Sequence, residues 1–514
     1  MIDPISAWVQ YLRLLGQWFN PAPPQLPPPA PSYLSLPFDQ LPPHQISYGQ
    51  TRTGKSLWYE HLYTAVLEAR LAGETDAGAV FFDVHDASFR NLQGRIALLA
   101  LDYPEIYDLY IPIDPTNPNW TVRYNPLEPT GDQLPEERAA ILANTIMRVW
   151  DDDPTVTVHL AQVLEHGFHT LNEAGLGIDF FKRLLGDKSF RENILFELKN
   201  PVLDEYWSSQ WYPSRPGKEF REFVASTIHR IEPLTKGRMA DVFRPPPSFD
   251  FRRNILNSGL FVNVNGAVSV LGRRPAYLFN AMVLEELAQA FFSRRDIPEH
   301  ERRLMFVFCD EFQNYSTVSL DEILTEGGKY KCDLNLATQT VIEDGKKKAL
   351  QEKVLKSVSR IASFRVSGSD ADILQAEFGH SPIDSVKFVR QNWQKPFGID
   401  TLYEEPVFRP LSETAETARR EILNLPNRFY LFKARGMGET RLLRTPDVPD
   451  IADLPNARHL PEALERLDRE AFERWGVLRN ERSTPSNTHR SFYLPRLGTG
   501  TDDGDFSPLE DIDE

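Results

Sequence analysis

The chain of 514 residues contains little cysteine. Cys309 and Cys332 are the only two cysteines, and their spacing fits no zinc motif. Two cysteines do not make a disulfide framework for a chain of this length. We therefore expect a protein of a reducing cytoplasm.

Long apolar runs are absent as well. No stretch approaches the ~18 consecutive apolar residues of a membrane-spanning helix, and the N-terminus lacks the basic start and small-residue cleavage site of a secretory signal. Apolar residues make up 41% and charged residues 25% of the chain, which is ordinary for a soluble globular protein. Wholesale disorder and a collagen-like fibre are excluded, and the length predicts two or three domains.

Basic residues are outnumbered, because 57 Lys and Arg face 73 Asp and Glu for a net charge of −16. Phosphate binding needs local Lys and Arg, so this balance lowers the expectation of a nucleic-acid partner. It does not exclude one, since a ring that touches DNA only along its pore can be acidic outside.

The two ends of the chain differ from its middle. Residues 1–20 have apolar side chains at helical spacing and predict an amphipathic helix, whereas residues 21–43 hold ten prolines and predict an extended linker. The helix is expected to dock on this protein or on a partner; an interfacial membrane anchor is the alternative, although Arg13 is its only base. Residues 451–482 predict a C-terminal helix region. Residues 483–514 predict a disordered acidic tail, which solubilises the chain, docks on a basic partner groove or mimics DNA in the pore of a ring.

Strand and helix patterns alternate through the middle of the chain. Residues 44–131 and 251–450 combine buried apolar runs with helical periodicity, which predicts an α/β fold with a mostly parallel sheet flanked by helices. Between them, residues 132–250 have helical spacing throughout and predict an inserted all-helical domain. Strands are predicted at 79–82, 260–264, 304–309, 333–338, 361–366 and 428–433.

One motif near the start of this region predicts a phosphate site. The pattern G-x-x-x-x-G-K-[ST] is matched by Gly49, Gln50, Thr51, Arg52, Thr53, Gly54, Lys55 and Ser56. Its glycines let successive backbone N–H groups face a phosphate. Lys55 would reach the β- and γ-phosphates, and the Ser56 hydroxyl would bind Mg²⁺. The motif therefore predicts ATP and Mg²⁺ as ligands.

A second acidic site follows the predicted buried strand 304–309. Asp310 and Glu311 come directly after this strand, where an unpaired buried carboxylate would be costly. We expect Asp310 to hold Mg²⁺ through water and Glu311 to orient the attacking water. Gln339 ends the next strand, where its amide either senses the γ-phosphate or is simply a polar loop residue.

Taken together, these blocks resemble the HerA/FtsK superfamily of ring-forming P-loop ATPases that pump DNA. Within it they are most similar to the conjugative DNA-transfer ATPases, the type IV coupling proteins (TraG/TraD-like). The similarity spans about residues 46–450, and an ordered series of blocks carries it. The blocks are Asp83 with His85, Asp114-Pro-Thr116, Asn125-Pro-Leu127, Asp310-Glu-Phe-Gln-Asn314 as Walker B, Glu322 to Tyr330, Leu334-Asn-Leu-Ala337, Phe364-Arg-Val366, Asp370-Ala371 and Glu377-Phe378.

The resemblance implies a RecA-like motor with a helical insertion, acting as a homohexamer around DNA in conjugation and type IV secretion. ATP would bind between subunits. The resemblance makes Arg365 an arginine finger that enters the neighbouring site; Arg360 is its competitor, and an ion-paired arginine is the alternative interpretation. Lys329 and Lys331 are candidate DNA contacts in the pore, although a solvated basic turn explains them equally well.

The sequence departs from the family in three places. Only 48 residues precede Gly49, where the family usually has a membrane-spanning segment and a small β-rich region. We therefore expect a cytoplasmic protein that reaches a membrane only through a partner. Val84, Asp86 and Ala87 replace the Pro, Gly and second Asp of a family block, and 327–328 is Gly-Gly where Ala-Arg is common.

Three functions are compatible with the sequence. The first is an ATP-driven hexameric DNA translocase of the coupling-protein kind, on single- or double-stranded DNA. The second is a HerA-like motor that works with a nuclease in DNA repair or anti-phage defence. The third is a nucleotide-gated scaffold that recruits an effector with little translocation, which the Asp310–Glu311 pair disfavours because a pure scaffold needs no catalytic base.

Overall fold

The computed structural model describes residues 42–150, 158–211, 218–342, 348–378, 386–394, 401–408, 411–436 and 440–479. The predicted N-terminal helix, nearly all of the Pro-rich linker and the acidic tail lie outside these residues. None of the helices within the described ranges is long and apolar enough to cross a membrane.

A nine-stranded sheet forms the centre of the described structure. The strands within the described residues are β1 (Gln45–Tyr48), β2 (Gly78–Asp83), β3 (Tyr110–Ile113), β4 (Trp120–Thr121), β5 (Phe261–Asn265), β6 (Met305–Cys309), β7 (Cys332–Thr338), β8 (Arg360–Ser363), β9 (Val386–Gln394), β10 (Thr401–Phe408), β11 (Phe429–Ala434), β12 (Arg441–Arg444) and β13 (Val477–Leu478). The central sheet has the order β12-β11-β8-β1-β7-β6-β2-β5-β3. The strands from β8 to β3 are parallel, and β11 runs antiparallel to both of its neighbours. The predicted α/β class with a mostly parallel sheet is confirmed.

The six predicted strands are all present, and one of them is shorter than expected. The strand predicted at 361–366 ends at Ser363, so Arg365 lies in the loop that follows β8 and not in a strand. Strands β9 and β10 form an antiparallel hairpin that the sequence patterns did not predict. The central strands β2, β5, β6 and β7 are buried at every residue, as expected for a parallel sheet that is covered on both faces.

Helices cover both faces of this sheet. The α-helices of the described residues are α1 (Lys55–Leu71), α2 (Ala87–Asp102), α3 (Ile106–Leu109), α4 (Pro135–Val149), α5 (Val158–Glu173), α6 (Phe181–Gly186), α7 (Lys188–Leu198), α8 (Pro201–Glu205), α9 (Lys218–Thr235), α10 (Gly237–Ala240), α11 (Val268–Leu271), α12 (Arg273–Phe292), α13 (Val318–Glu326), α14 (Lys348–Ser357), α15 (Gly368–Phe378), α16 (Leu411–Asn424) and α17 (Leu460–Trp475). Side chains alternate between the two faces along β2. Phe81 packs in the cluster of α1, α2 and α17, whereas Val80 and Phe82 pack in the cluster of α12 and α13.

Every regular element described between β4 and β5 is helical. This region is joined to the sheet layer by Arg138 of α4, which forms a buried ion pair with Glu286 of α12. Arg138 also donates to the carbonyl of Pro126 at 2.8 Å, and Glu286 accepts from the Thr130 hydroxyl at 2.9 Å. A polar network therefore fixes the helical region on α12. The division of the chain into domains stays a prediction.

A buried carboxylate, Glu60, lies between α1 and α2. The side chain is 5% exposed, and it accepts hydrogen bonds from the Ser88 hydroxyl at 2.6 Å and from the Asn91 amide. Burial raises the pKa of Glu60 from 4.5 to about 7, although both hydrogen bonds oppose this shift. The folded protein therefore holds a proton on Glu60 at pH values where the unfolded chain does not.

We expect Glu60→Gln to change the pH dependence of stability. Because the folded-state pKa is raised, the stability that Glu60 contributes is present below its unfolded pKa and is lost as pH rises towards 7. The variant should melt higher than the wild type at pH 8.5, by a free energy of order 3 kcal/mol at most, and close to it at pH 4. Thermal melts at both pH values test this, with the exposed Glu462→Gln of α17 as a control. An equal difference at both pH values would contradict the expectation.

Candidate nucleotide site

The phosphate loop, residues 49–54, joins the carboxyl end of β1 to the start of α1. Gly54 has φ +112°, a conformation that strains any residue with a side chain. A Cβ at Gly49 would lie 2.7 Å from the Cβ of Phe364. Both glycines are therefore required by the local backbone, so the motif is folded as a tight turn that opens a helix.

Backbone hydrogen bonds hold the phosphate loop on both sides. The Gly49 N–H donates to the Thr338 carbonyl at 3.3 Å, and the Gln50 N–H donates to the Arg365 carbonyl at 2.9 Å. The Arg428 N–H donates to the Thr53 carbonyl at 2.8 Å. The ends of β7 and β8 and the segment before β11 thus fix the shape of the loop.

Lys55 is the first residue of α1 and is 6% exposed. Its ammonium donates to the carbonyl of Gly49 and, at 3.3 Å, to that of Gln50, so it lies within the curve of the phosphate loop. Burial lowers the pKa of Lys55, and the carboxylates of Asp310 and Glu311 oppose that shift. An anion bound in the loop would give this desolvated ammonium a partner of opposite charge.

Ser56 and Asp310 meet beside Lys55. The Ser56 hydroxyl donates to Oδ2 of Asp310 at 2.6 Å, and Oδ1 of Asp310 accepts from the N–H of Glu311 at 3.0 Å. Mg²⁺ binds oxygen ligands and is commonly held by one or two protein oxygens together with phosphates. The pair fits such a site. The described residues contain no cluster of three or more His, Cys, Asp or Glu arranged for another metal.

Glu311 is held by two amides. It is 7% exposed and has a left-handed backbone with φ 50°. Its Oε1 accepts from Nε2 of Gln339 at 2.8 Å, and its Oε2 accepts from Nε2 of Gln313 at 2.8 Å. Burial and then Asp310 raise the pKa of Glu311, whereas the two amides and Lys55 lower it.

Gln339 connects Glu311 to the phosphate loop. Its Oε1 accepts from the Thr51 hydroxyl at 3.1 Å, while its amide nitrogen binds Glu311. The parallel strands β1, β6 and β7 end at the same edge of the sheet, which brings these three side chains together. The structure therefore places Lys55, Ser56, Asp310, Glu311 and Gln339 in one site.

The two candidate arginines occupy different environments. Arg360 is 4% exposed, and its guanidinium lies 2.7 and 2.5 Å from the two carboxylate oxygens of Asp333. Arg365 is half-buried beside the phosphate loop of its own chain and donates to Oδ1 of Asn427 at 3.0 Å. A role of Arg365 towards a neighbouring subunit stays a prediction.

Lys329 and Lys331 are not brought to this site. They precede β7 at its amino end, whereas Gln339 follows its carboxyl end. The exposed Lys329 ammonium lies 4.0 Å from a carboxylate oxygen of Glu326. The carbonyl of Lys331 accepts from the Met305 N–H at 2.9 Å.

Sequence reasoning assigned no individual role to Gln313 or Asp370, and it placed Thr51 in the phosphate motif without predicting its contact with Gln339. Gln313 binds Glu311, and the Thr51 hydroxyl binds Gln339. Asp370 accepts from the Val341 N–H at 2.9 Å and so holds the loop that carries Gln339. Gln313 lies inside the Walker B block. The available signal in the sequence was an amide side chain two residues after Glu311.

Comparisons with known proteins give a likeness in structure alone. No family model matches the chain, and no curated protein matches it. The plasmid coupling protein TrwB in complex with ADP and Mg²⁺ is similar, with a TM-score of 0.54 and 14% identity over 84% of this chain and 92% of that chain. TrwB with a non-hydrolysable ATP analogue has a TM-score of 0.51 and 16% identity over 86% and 94% of the two chains. The predicted closeness to conjugative coupling proteins is confirmed at the level of the fold.

Proposed function

We propose that this protein is an ATPase that assembles as a homohexamer and moves DNA through a central pore. The observation that carries this proposal is the hydrogen-bonded chain from Thr51 through Gln339 to Glu311, next to Ser56 and Asp310. It links a phosphate loop to a carboxylate that can act as a base. The coupling-protein fold supports the same proposal, and the complexes of TrwB with ADP and Mg²⁺ and with an ATP analogue support ATP and Mg²⁺ as ligands.

Hydrolysis would proceed by in-line attack of water on the γ-phosphate. Lys55 would exchange its bonds to the Gly49 and Gln50 carbonyls for bonds to the β- and γ-phosphates, since charge-assisted bonds to phosphate are stronger than those to neutral acceptors. Ser56 and Asp310 would hold Mg²⁺, which supplies positive charge to the phosphates. Glu311 would orient the water and accept its proton.

Gln339 is proposed to report the state of the γ-phosphate. A phosphate in the loop offers new acceptors to its amide, which now donates to Glu311. A shift of the Gln339 amide towards phosphate would free Oε1 of Glu311 for the attacking water. In this way nucleotide binding would prepare the base.

Arg365 is proposed as the arginine that enters the neighbouring site. Arg360 is disfavoured for this role, because its guanidinium is buried on Asp333 and cannot reach another subunit. Lys329 and Lys331 are proposed as DNA contacts, since Lys329 is exposed and both belong to one turn. Residues 1–20, predicted as an amphipathic helix, and the predicted acidic tail are proposed as docking segments for a protein partner.

The deciding experiment is steady-state ATPase activity with and without DNA over a range of protein concentrations. We expect turnover to rise with DNA and to fall on dilution, because ATP would bind between subunits. Arg365→Ala should lower ATP turnover while the hexamer stays assembled. The double variant Lys329→Ala with Lys331→Ala should weaken the stimulation of turnover by DNA. Single-stranded and duplex DNA are compared in parallel, and mass photometry reports ring size.

Two results would overturn parts of this proposal. ATP turnover that is independent of DNA would contradict the proposed DNA translocation and favour the nucleotide-gated scaffold. If the wild type turns over ATP no faster than Lys55→Ala, the proposed ATPase activity is contradicted. DNA stimulation together with a nuclease bound to the ring would favour the repair or defence motor over the conjugative one.

A further inference from the structure

Gln313 lies in the short turn after Glu311, Phe312–Asn314. Its side chain is 6% exposed, and its Nε2 donates to Oε2 of Glu311 at 2.8 Å. An ionised carboxylate only accepts hydrogen bonds. The contact with Glu311 therefore fixes which end of the Gln313 amide points at it.

The other end of the amide is unsatisfied. Oε1 of Gln313 is buried and has no hydrogen-bond partner among the described residues. A buried acceptor without a partner has lost its hydrogen bond to water and gained none in the protein, which destabilises the fold. A leucine would fill similar space without that cost, so stability alone does not explain a glutamine here. Such a local conflict is typical of a functional position.

The position of Gln313 determines how Glu311 presents its two oxygens. The amide of Gln313 holds Oε2, so Oε1 is the oxygen that meets Gln339 and, through it, the phosphate loop. Without this contact the carboxylate could turn about its terminal torsion, which is a soft rotation. A base that is misoriented by a fraction of an ångström loses much of its effect.

We propose that Gln313 is a positioning residue for ATP hydrolysis, which holds Oε2 of Glu311 so that Oε1 faces the γ-phosphate side of the site. The proposal rests on the proposed ATPase activity. Gln313 acts through Glu311 and touches neither nucleotide nor metal in this role. Its effect belongs to the chemical step and not to nucleotide binding.

The test compares Gln313→Leu and Gln313→His with the wild type in the full chain. Gln313→Leu should lower kcat about 10- to 100-fold while KM and the affinity for a fluorescent ATP analogue change less than about threefold. Gln313→His should recover part of the loss because it keeps an N–H donor. Gln289→Leu is the matched control: Gln289 is also 6% exposed, and its amide donates to Glu285 on α12. It should leave the kcat of folded protein unchanged.

A double-mutant cycle separates positioning from a structural role. In the Glu311→Gln background, Gln313→Leu should cause almost no further loss, because residues that act as one unit are not additive. A wild-type kcat for Gln313→Leu would overturn the inference, as would an undiminished loss in the Glu311→Gln background. A wild type without ATPase activity would instead remove the proposed function, so the two failures are distinguishable.

Discussion

Replacement of Lys55 by alanine should lower ATP turnover at least ~100-fold. Lys55 is the one ammonium placed inside the phosphate loop by the described structure, and it is 6% exposed. Its loss removes the positive charge that would offset charge building up on the transferred phosphate. Nucleotide affinity should fall as well, because a charged hydrogen bond to phosphate is lost.

The stability of this variant should behave differently from its activity. Burial lowers the pKa of Lys55, so the folded protein holds this ammonium against a desolvation cost. Alanine removes that cost along with the bonds to Gly49 and Gln50. We therefore expect a melting temperature equal to or above that of the wild type.

Glu311→Gln is the informative counterpart. The shape of the side chain is kept while the base is removed, so turnover should fall by about 10²- to 10⁴-fold and binding of the ATP analogue should persist. Phosphate release and analogue titration measure the two quantities. The exposed Lys188→Ala, on α7 of the helical region, controls for the loss of a lysine. Normal turnover in either site variant would contradict the site assignment.

Arg360→Met should destabilise the protein by about 3–5 kcal/mol. Asp333 is 4% exposed and would be left as a buried charge without its guanidinium. Arg360 begins β8 and Asp333 lies in β7, and β1 runs between these strands. The ion pair therefore spans the strand that leads into the phosphate loop.

A paired variant identifies the unpaired charge as the cause. Asp333→Asn removes the charge but keeps the acceptor for the His44 N–H, which lies 2.8 Å from Oδ1. The double variant Arg360→Met with Asp333→Asn should recover much of the lost stability. Arg420→Met removes an arginine that is 72% exposed from its pair with Glu416, and it should cost less than about 1 kcal/mol. Denaturation curves that give Arg360→Met and Arg420→Met equal costs would refute this account.

The sequence predicted the parts of the fold that depend on local pattern. Strands β2 and β6 are nearly continuous apolar runs, whereas β5 and β7 alternate apolar residues with Asn or Asp. The carboxyl ends of parallel strands meet at one edge. From this alone, Lys55, Asp310 and Gln339 were expected to approach one another. The strand after residue 360 was extended too far because Phe364 and Val366 are also apolar. Both side chains are buried although they lie in the loop after β8. A buried loop and a buried strand give the same apolar pattern in the sequence.

Side-chain partners were harder to predict than backbone positions. Asp333 is the partner of Arg360 across β1, and no spacing in the sequence relates residues 27 positions apart on non-adjacent strands. The hydrogen bond from Thr51 to Gln339 depends on the shape of two loops. Such features depend on tertiary contacts, which a single sequence does not display.

The position of β1 determines when the nucleotide site can form during synthesis. Strand β1 pairs with β7 and β8, and both follow it far along the chain. Gln45 of β1 lies opposite Asn335 of β7 and Arg360 of β8. Contacts of such sequence separation form late, since the intervening chain must first be closed into a loop. On the ribosome the glycine-rich turn therefore emerges early, but β1 lacks both of its partner strands until residue 338 has left the exit tunnel, and it lacks the second until residue 363 has done so. Nascent chains cut short before that point have the nucleotide motif without a nucleotide site.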